Sequence, residues 1–308
     1  MKQTVRRQTF DQERALYHLQ DARVEDCIFA GPADGESVLK ECRNVTVTNC
    51  SFSLRYPLWH ADGFQLSHST LEDKTRAPIW YSRNGRIQHS AIYGVKCLRE
   101  CQNISILDTE VVSPEFGWKC HNIEITDSRM ESEYFLLECQ GLKAVGLQMK
   151  GKYSFQYAQN LRIERSKLDT KDAFWHSKNV TVIDSEIKGE YLAWFSDGLT
   201  LVNCRISGTQ PFCYCTNLKL IHCTMEGTDL AFEYSDVQAE VRGHILSVKN
   251  PRSGVITADS VGEIIRQEPI MECTGQVRLR ETADRCAGES SGLPSGCLQE
   301  TTGQGEPI

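Results

Sequence analysis

A single short pattern recurs along this chain at a nearly fixed interval, and that interval limits the fold more than any other property of the sequence. NVTVTNCSF from Asn44, NISILDTEV from Asn103, NIEITDSRM from Asn122, NLRIERSKL from Asn160, NVTVIDSEI from Asn179, GLTLVNCRI from Gly198 and NLKLIHCTM from Asn217 share one form. Each opens on Asn or Gly, places apolar residues at alternate positions, and then passes through a polar residue and a small one to a further apolar one. Filling the intervals gives starts at Asp21, Asn44, Gly63, Asn84, Asn103, Asn122, Gly141, Asn160, Asn179, Gly198, Asn217 and Asp236, with only two spacings, 23 and 21, departing from 19.

A repeat of this length is one structural unit stacked on itself many times. Leucine-rich and helical solenoids have comparable periods, but these units lack a leucine-rich signature and their apolar alternation has period two, which calls for short strands. The chain is therefore expected to be all-β, a single-stranded right-handed parallel β-helix of about twelve coils. Coils stacked about 4.8 Å apart would build a rod roughly 55–60 Å long, able to carry a lateral groove. Residues 1–20 read as an N-terminal cap segment, 21–265 as the β-helix, and 266–308 as terminal strand pieces and a flexible tail.

With each start counted as column 0, columns 1 and 3 are apolar and should point inward, as in Val45 and Val47, Ile104 and Ile106, Val180 and Val182. Column 5 holds Asn49, His68, Asp108, Asp127, Gly146, Asp184 and Asn203, residues that tolerate a left-handed bend. Column 6 turns inward again with Cys50, Ser90, Ser128, Ser185, Cys204 and Cys223.

Charge and composition narrow the functions. The 308 residues are 40% hydrophobic, enough for a large core, and the net charge of −7 argues against a phosphate-backbone binder. Nucleic acid is not an expected partner. No apolar stretch reaches signal-peptide or membrane-span length, so a soluble cytoplasmic protein without a membrane partner is expected. The fourteen Cys are spread through a long chain with no export signal, which suits free thiols. Eight of them fall in small inward columns (Cys27, Cys50, Cys204 and Cys223 in column 6; Cys101, Cys120, Cys139 and Cys215 in column 17) and should be buried and reduced. No metal site and no cofactor are expected.

The stretches GPADGES at 31–37, RYPLWH at 55–60, SPEFGWKC at 113–120, KGKYSFQY at 150–157, DTKDAFWH at 169–176, GTQPFCYC at 208–215, DLAFEYSDV at 229–237 and SVKNPRSG at 247–254 resemble a bacterial family. It is the domain-of-unknown-function family numbered 3737. The resemblance spans roughly residues 10–265 and implies a parallel β-helix of the pectin-lyase-like class; it implies no activity and no catalytic residues.

Three outer columns could carry chemistry. All five Trp (Trp59, Trp80, Trp118, Trp175 and Trp194) fall in column 15, either as an internal stack or as platforms lining a groove. Column 16 reads Glu41, His60, Tyr81, Glu100, Lys119, Glu138, Tyr157, His176, Phe195, Tyr214 and Glu233, too ionisable to be buried. Column 12 adds Tyr56, Lys96, Glu115, Tyr134, Tyr153, Asp172, Tyr191 and Asp229. If both columns face out, column 14 between them (Leu58, Leu98, Leu136, Phe155, Phe174, Phe212) is expected to form an exposed apolar stripe.

This composition points to a carbohydrate-binding or carbohydrate-processing protein with a lateral groove. Glu100 and Glu138, about 9.6 Å apart over two coils, would be acid and base, with Lys119 between them and His176 beside the site. His60, Tyr134, Tyr153, Tyr157, Trp175, Trp194, Tyr214 and Glu233 would contact substrate, and Glu100, Lys119, Glu138, Tyr157 and His176 would lie in one open concavity. The alternative is a non-catalytic scaffold that docks a protein partner or a second copy of itself through the aromatic stripe.

Overall fold

The computed structural model describes residues 3–281, which wind into a parallel β-solenoid of about fifteen coils. Each regular coil contributes three short strands, as in Gln102–Leu107, Glu110–Val112 and Glu115–Trp118. Each strand pairs in parallel with its equivalent one repeat later: Ile104 with Ile123, Val111 with Met130, Phe116 with Phe135. The register of 19 then continues from Ile123 through Leu142, Leu161 and Val180 to Leu199.

Three coils more than the sequence count come from segments without the Asn-led pattern. Gln3–Arg6 and Thr9–Phe10 pair with Ala22–Glu25 and Ile28–Phe29, so the expected cap segment winds as the first coil. Beyond Asp236, Ser253–Ala258 and Gln276–Leu279 add further rungs. The expected tail lies mostly outside the described residues.

The interior is a set of apolar ladders. Columns 1, 3 and 8 stack aliphatic side chains, and Phe29, Phe52, Phe116, Phe135, Phe155, Phe174, Phe212 and Phe232 are fully buried. Phe155 and Phe174 stack at 4.9 Å and Phe212 and Phe232 at 5.6 Å. Column 14 belongs here: Leu58, Leu98, Leu136, Phe155, Phe174 and Phe212 are all 0% exposed. The exposed apolar stripe expected between columns 12 and 16 is therefore absent. The reason is a pair of left-handed residues close together, as at Phe155 and Tyr157 or Phe174 and His176, which break strand alternation. Column 14 turns inward, columns 15 and 16 both point out, and column 17 turns inward again.

Left-handed residues recur in every regular coil, as at Asn103, Asp108 and Lys119 in one of them (φ 55°, 43° and 52°). Each bend takes the following backbone N–H out of the regular ladder, and a buried N–H without a partner is costly. The small columns 6 and 17 supply the partner. Thr109 N–H donates to Ser128 Oγ one coil on, Leu147 N–H to Ser166 Oγ and Ser166 N–H to Ser185 Oγ. At column 17, Ala61 N–H donates to Ser82 Oγ and Cys215 N–H to Ser235 Oγ. The hydroxyls and thiols donate in turn to carbonyls: Cys101 to Ile79, Cys120 to Leu98 and Ser235 to Phe212, each the column 14 carbonyl of the preceding coil. Ser and Cys recur at these positions because each is small, buried and able both to donate and to accept.

All twelve described cysteines are free thiols, and all but Cys273 are buried, the eight of columns 6 and 17 among them. Burial pushes the Cys42 and Cys50 thiols up to about 12 and Cys215 up to about 11. The thiolate is the reactive form, so these groups are inert in the folded chain. Peptide mapping after alkylation of the native protein should find Cys273 modified and the other eleven protected until the chain is unfolded. Ser128→Ala removes the acceptor for Thr109 N–H and should lower unfolding stability by about 1–3 kcal/mol. Ser128→Cys, which restores a small donor and acceptor, should recover most of that loss in urea titrations.

Candidate functional site

The outward columns 12, 15 and 16 form one edge of the solenoid, and each has its own way of being held. Column 15 is half-buried, neither an internal stack nor a set of free platforms. Trp59 and Trp80 stack at 5.3 Å, Trp175 and Trp194 at 5.5 Å, and the Arg99 guanidinium lies between Trp80 and Trp118, 5.1 and 5.5 Å from their rings. Four of the five indole N–H groups close the edge, donating from Trp59 to Ala77 O, Trp80 to Lys96 O, Trp175 to Tyr191 O and Trp194 to Gln210 O, while Trp118 Nε1 is buried without a hydrogen-bond partner. Gln156 does the same with its amide, donating to Asp172 O at 3.1 Å. A Gln in a row of Trp is thus explained by what both side chains donate.

Column 16 stands outside column 15. Its residues lie at left-handed φ, from Glu100 at 50° to Phe195 and Tyr214 at 59°, and their side chains point outward. Tyr157 stacks on His176 at 4.9 Å, His176 on Phe195 at 4.9 Å and Phe195 on Tyr214 at 4.8 Å. Tyr234 continues the row at 5.4 Å from Tyr214. Desolvation, with the Glu233 charge adding to it, raises the Tyr214 phenol above its ordinary value. Near the other end of the rod His60 stacks on Tyr81 at 5.0 Å, beside Glu41 and Asp62 in a cavity of about 350 Å³.

Among the residues selected from sequence, Glu233 is misplaced. Ser207 pairs with Glu226, 19 residues apart, but Phe232 stacks on Phe212, 20 apart, so one extra residue enters between them. Tyr234 takes the expected place of Glu233. Glu233 drops to column 15, where its side chain is 14% exposed and pairs with Lys249 Nζ at 2.9 Å. That contact raises the Lys249 ammonium above its ordinary value.

Glu100, Lys119 and Glu138 do follow one another along column 16, with Lys119 Nζ 3.9 Å from Glu138. Their side chains are 46%, 52% and 50% exposed on the outside of a bend. They share a row with Tyr157 and His176, all five exposed. An exposed pair of this kind contributes about 0.2–1 kcal/mol. Among the described residues, no three His, Cys, Asp or Glu side chains converge as metal ligands, and no helix is long and apolar enough to cross a membrane.

Column 12 forms the opposite border of the edge. Tyr134 and Tyr153 stack at 4.9 Å, and Tyr191 meets Trp194 edge-on at 5.5 Å. Asp172 interrupts this row. It is 7% exposed, and desolvation raises its carboxyl while the Lys171 and Lys152 charges pull it down. Sequence reasoning put Tyr191, Phe195 and Asp172 in the outward columns without selecting them, although the offsets that selected Trp194 and His176 reach them equally.

Trp194→Phe keeps the stack and deletes the N–H to Gln210 O, so it should lower stability by about 0.5–1.5 kcal/mol in thermal or chemical unfolding. Glu138→Gln should shift stability by less than about 1 kcal/mol in the same assay.

Several solved structures show partial similarity to this chain. PfbA, a surface adhesin of Streptococcus pneumoniae, is 8% identical, with 86% of this chain and 84% of that one covered and a TM-score of 0.35. The A-module of the Azotobacter vinelandii mannuronan C-5 epimerase AlgE4 is 9% identical over 91% and 90% of the two chains, with a TM-score of 0.28. The periplasmic alginate epimerase AlgG is 8% identical over 90% and 77%, with a TM-score of 0.31. Likeness at these scores carries no inference about the chemistry of this chain. No curated protein matches the sequence. A family model does match, over residues 3–278, and with it the repeat, the solenoid and the aromatic edge find their place: the chain belongs to the family of proteins of unknown function DUF3737.

Proposed function

We propose that this protein binds an elongated carbohydrate along the aromatic edge formed by columns 12, 15 and 16, between Tyr134 and Tyr234. The observation that carries this reading is the ring row Tyr157, His176, Phe195, Tyr214 and Tyr234, set at bends that Asn or Gly would occupy with less strain. Column 0 makes the same kind of bend with Asn103, Asn122, Asn160 and Asn179. Strained bulky residues repeated along an exposed edge are a reason to look for a ligand there.

The geometry suits sugars. Coils are about 4.8 Å apart, whereas carbon atoms in contact lie about 3.5–4.0 Å apart, so parallel rings in successive coils can touch only by tilting like shingles. Tilting leaves part of each ring face outward, and Tyr157 and Phe195 are 50% and 43% exposed. An apolar sugar face can lie against such rings while the Tyr hydroxyls of Tyr134, Tyr153, Tyr157 and Tyr214 hydrogen-bond its hydroxyls.

Binding is favoured over cleavage by the position of Glu100, Lys119, Glu138 and His176. A general acid and base acting on a glycosidic bond need to flank it in a shielded site, and the Glu100, Lys119 and Glu138 side chains are 46%, 52% and 50% exposed. Phe195→Asn suits the left-handed φ but removes the ring, so it should leave the melting temperature within a few degrees and weaken oligosaccharide binding at least about tenfold, or about 1.4 kcal/mol. Glu138→Gln should leave binding unchanged. Isothermal titration against oligosaccharides checks both. Loss of binding by Glu138→Gln with Phe195→Asn silent would overturn the assignment, and binding of a protein partner in place of any oligosaccharide would favour the scaffold reading.

A further inference from the structure

The Asn residues of column 0 form a ladder of their own. Asn103 Nδ2 donates to Asn84 Oδ1 at 3.0 Å, Asn122 Nδ2 to Asn103 Oδ1 at 3.1 Å and Asn179 Nδ2 to Asn160 Oδ1 at 3.2 Å. Each amide thus directs its N–H to the coil before and its carbonyl to the coil after. Gly63, Gly141 and Gly198 interrupt the ladder, at left-handed φ of 71°, 78° and 73°.

The chain itself closes two of these gaps on their donor side. Asp62, beside Gly63, accepts from Asn84 Nδ2 at 2.8 Å, and Asp197, beside Gly198, accepts from Asn217 Nδ2 at 2.8 Å. Beside Gly141 stands Gln140, whose side chain makes no hydrogen bond among the described residues. Asn160 Nδ2 is therefore left without an acceptor among them, while Asn160 Oδ1 keeps its place in the ladder. Across the gap, Asn122 Oδ1 faces the missing rung: a β-carbon on Gly141 would lie 2.8 Å from it. Gly141 thus leaves one acceptor and one donor facing each other over two coils, about 9.6 Å at the backbone. Both Asn122 and Asn160 are exposed, within reach of a ligand.

A cavity of about 490 Å³ opens over the gap, with Asn122, Gly141 and Asn160 on one side and Ser105, Glu124 and Lys143 of column 2 on the other. That volume lies in the range of small-ligand sites and is far more than one amide fills. The ligand is therefore a larger body that carries an amide. A trans secondary amide has its N–H and C=O opposed, as the Asn amides of the ladder do, so it makes both missing hydrogen bonds at the spacing of the column. An acetamido group is such an amide, and it is what distinguishes an N-acetylated sugar from a plain hexose. Ser105, Glu124 and Lys143 have no hydrogen-bond or ion-pair partner among the described residues and offer donors and acceptors to sugar hydroxyls. Tyr157, the first ring of the aromatic row, is three residues before Asn160, at most about 11 Å along the chain.

Resting on the carbohydrate reading above, we propose that the Gly141 gap in the Asn ladder is the subsite for an N-acetylated sugar unit, whose acetamido N–H donates to Asn122 Oδ1 and whose acetamido carbonyl accepts from Asn160 Nδ2.

Two variants close the gap in ways the molecule already uses. Gly141→Asn supplies the missing rung, at a φ that Asn tolerates and against only the flexible end of Asn122. Gln140→Asp supplies the acceptor that Asp62 and Asp197 supply elsewhere. The test is isothermal titration of the full chain and both variants with tri-N-acetylchitotriose, cellotriose and a glutamine-containing tripeptide. The unaltered protein should bind tri-N-acetylchitotriose at least about tenfold more tightly than cellotriose, and both variants should lose that preference with melting temperatures unchanged or higher. Undiminished binding of tri-N-acetylchitotriose by both variants overturns the subsite; if Phe195→Asn weakens that binding, the aromatic edge stands as the binding surface. Equal affinity for cellotriose overturns the acetamido assignment. Binding of the tripeptide in place of either sugar, lost in both variants, overturns the sugar and makes the gap a peptide-amide site. If tri-N-acetylchitotriose does not bind, the subsite falls: cellotriose binding that Phe195→Asn weakens then leaves the carbohydrate reading standing, and no binding of either sugar removes both.

Discussion

The structure depends on satisfying the backbone at its bends. A coil of 19 residues closes on itself only by turning sharply at several places, and left-handed residues make those turns. Each takes an N–H and a carbonyl out of the ladder of a neighbouring strand, inside a dry core. One such group per bend, repeated over a dozen coils, would exceed the whole stability of a folded domain, which is about 5–15 kcal/mol. The columns of Ser, Thr and Cys at 6 and 17 are the answer, because members such as Ser128 and Ser235 accept from the N–H of one coil and donate to a carbonyl nearby, although Ser177 Oγ in column 17 has no such partner. They also explain why so many thiols are retained in these columns: Cys and Ser are interchangeable in size and in hydrogen bonding at these places.

The same bends create the outer edge. Paired left-handed residues on either side of column 15 bury column 14 and set columns 15 and 16 side by side on the surface. Column 15 then works as a clasp, with indole or amide N–H groups reaching the next coil's carbonyls. Column 16, one residue further out, has no such duty, and its stacked rings and charges are the part of the edge free to meet a ligand. Stability and recognition are thus divided between adjacent columns. This division separates two kinds of substitution: those at Trp194 act on folding, and those at Phe195 act on the surface.

A solenoid repeats its backbone but not its side chains, so specificity must come from interruptions. Asp172 in a row of tyrosines, Gln156 in a row of Trp, and the charged run Glu100, Lys119, Glu138 between aromatic segments are the local departures. The last is open to solvent.

Much of the fold was legible in the sequence. The spacing of Asn103, Asn122, Asn160 and Asn179, with Val, Ile and Leu at columns 1 and 3, requires period-two strands stacked at a fixed register, and the family resemblance agrees with it. The inward Cys and Ser columns follow from the same count. The first coil and those after Asp236 were not legible as coils, since they lack the Asn-led pattern and are recognised only by pairing with a neighbour. Nor could the sequence decide which way columns 14 and 15 face, because alternation fixes a side only while every residue is extended. A left-handed Phe155 or Phe174 inverts all that follows it, and the extra residue before Phe232 moves Glu233 out of its row. Composition and period determined that this chain is a rod of stacked coils. Only the tertiary structure decided which columns are core and which are surface, because a single φ of opposite sign exchanges the two and leaves the repeat unchanged.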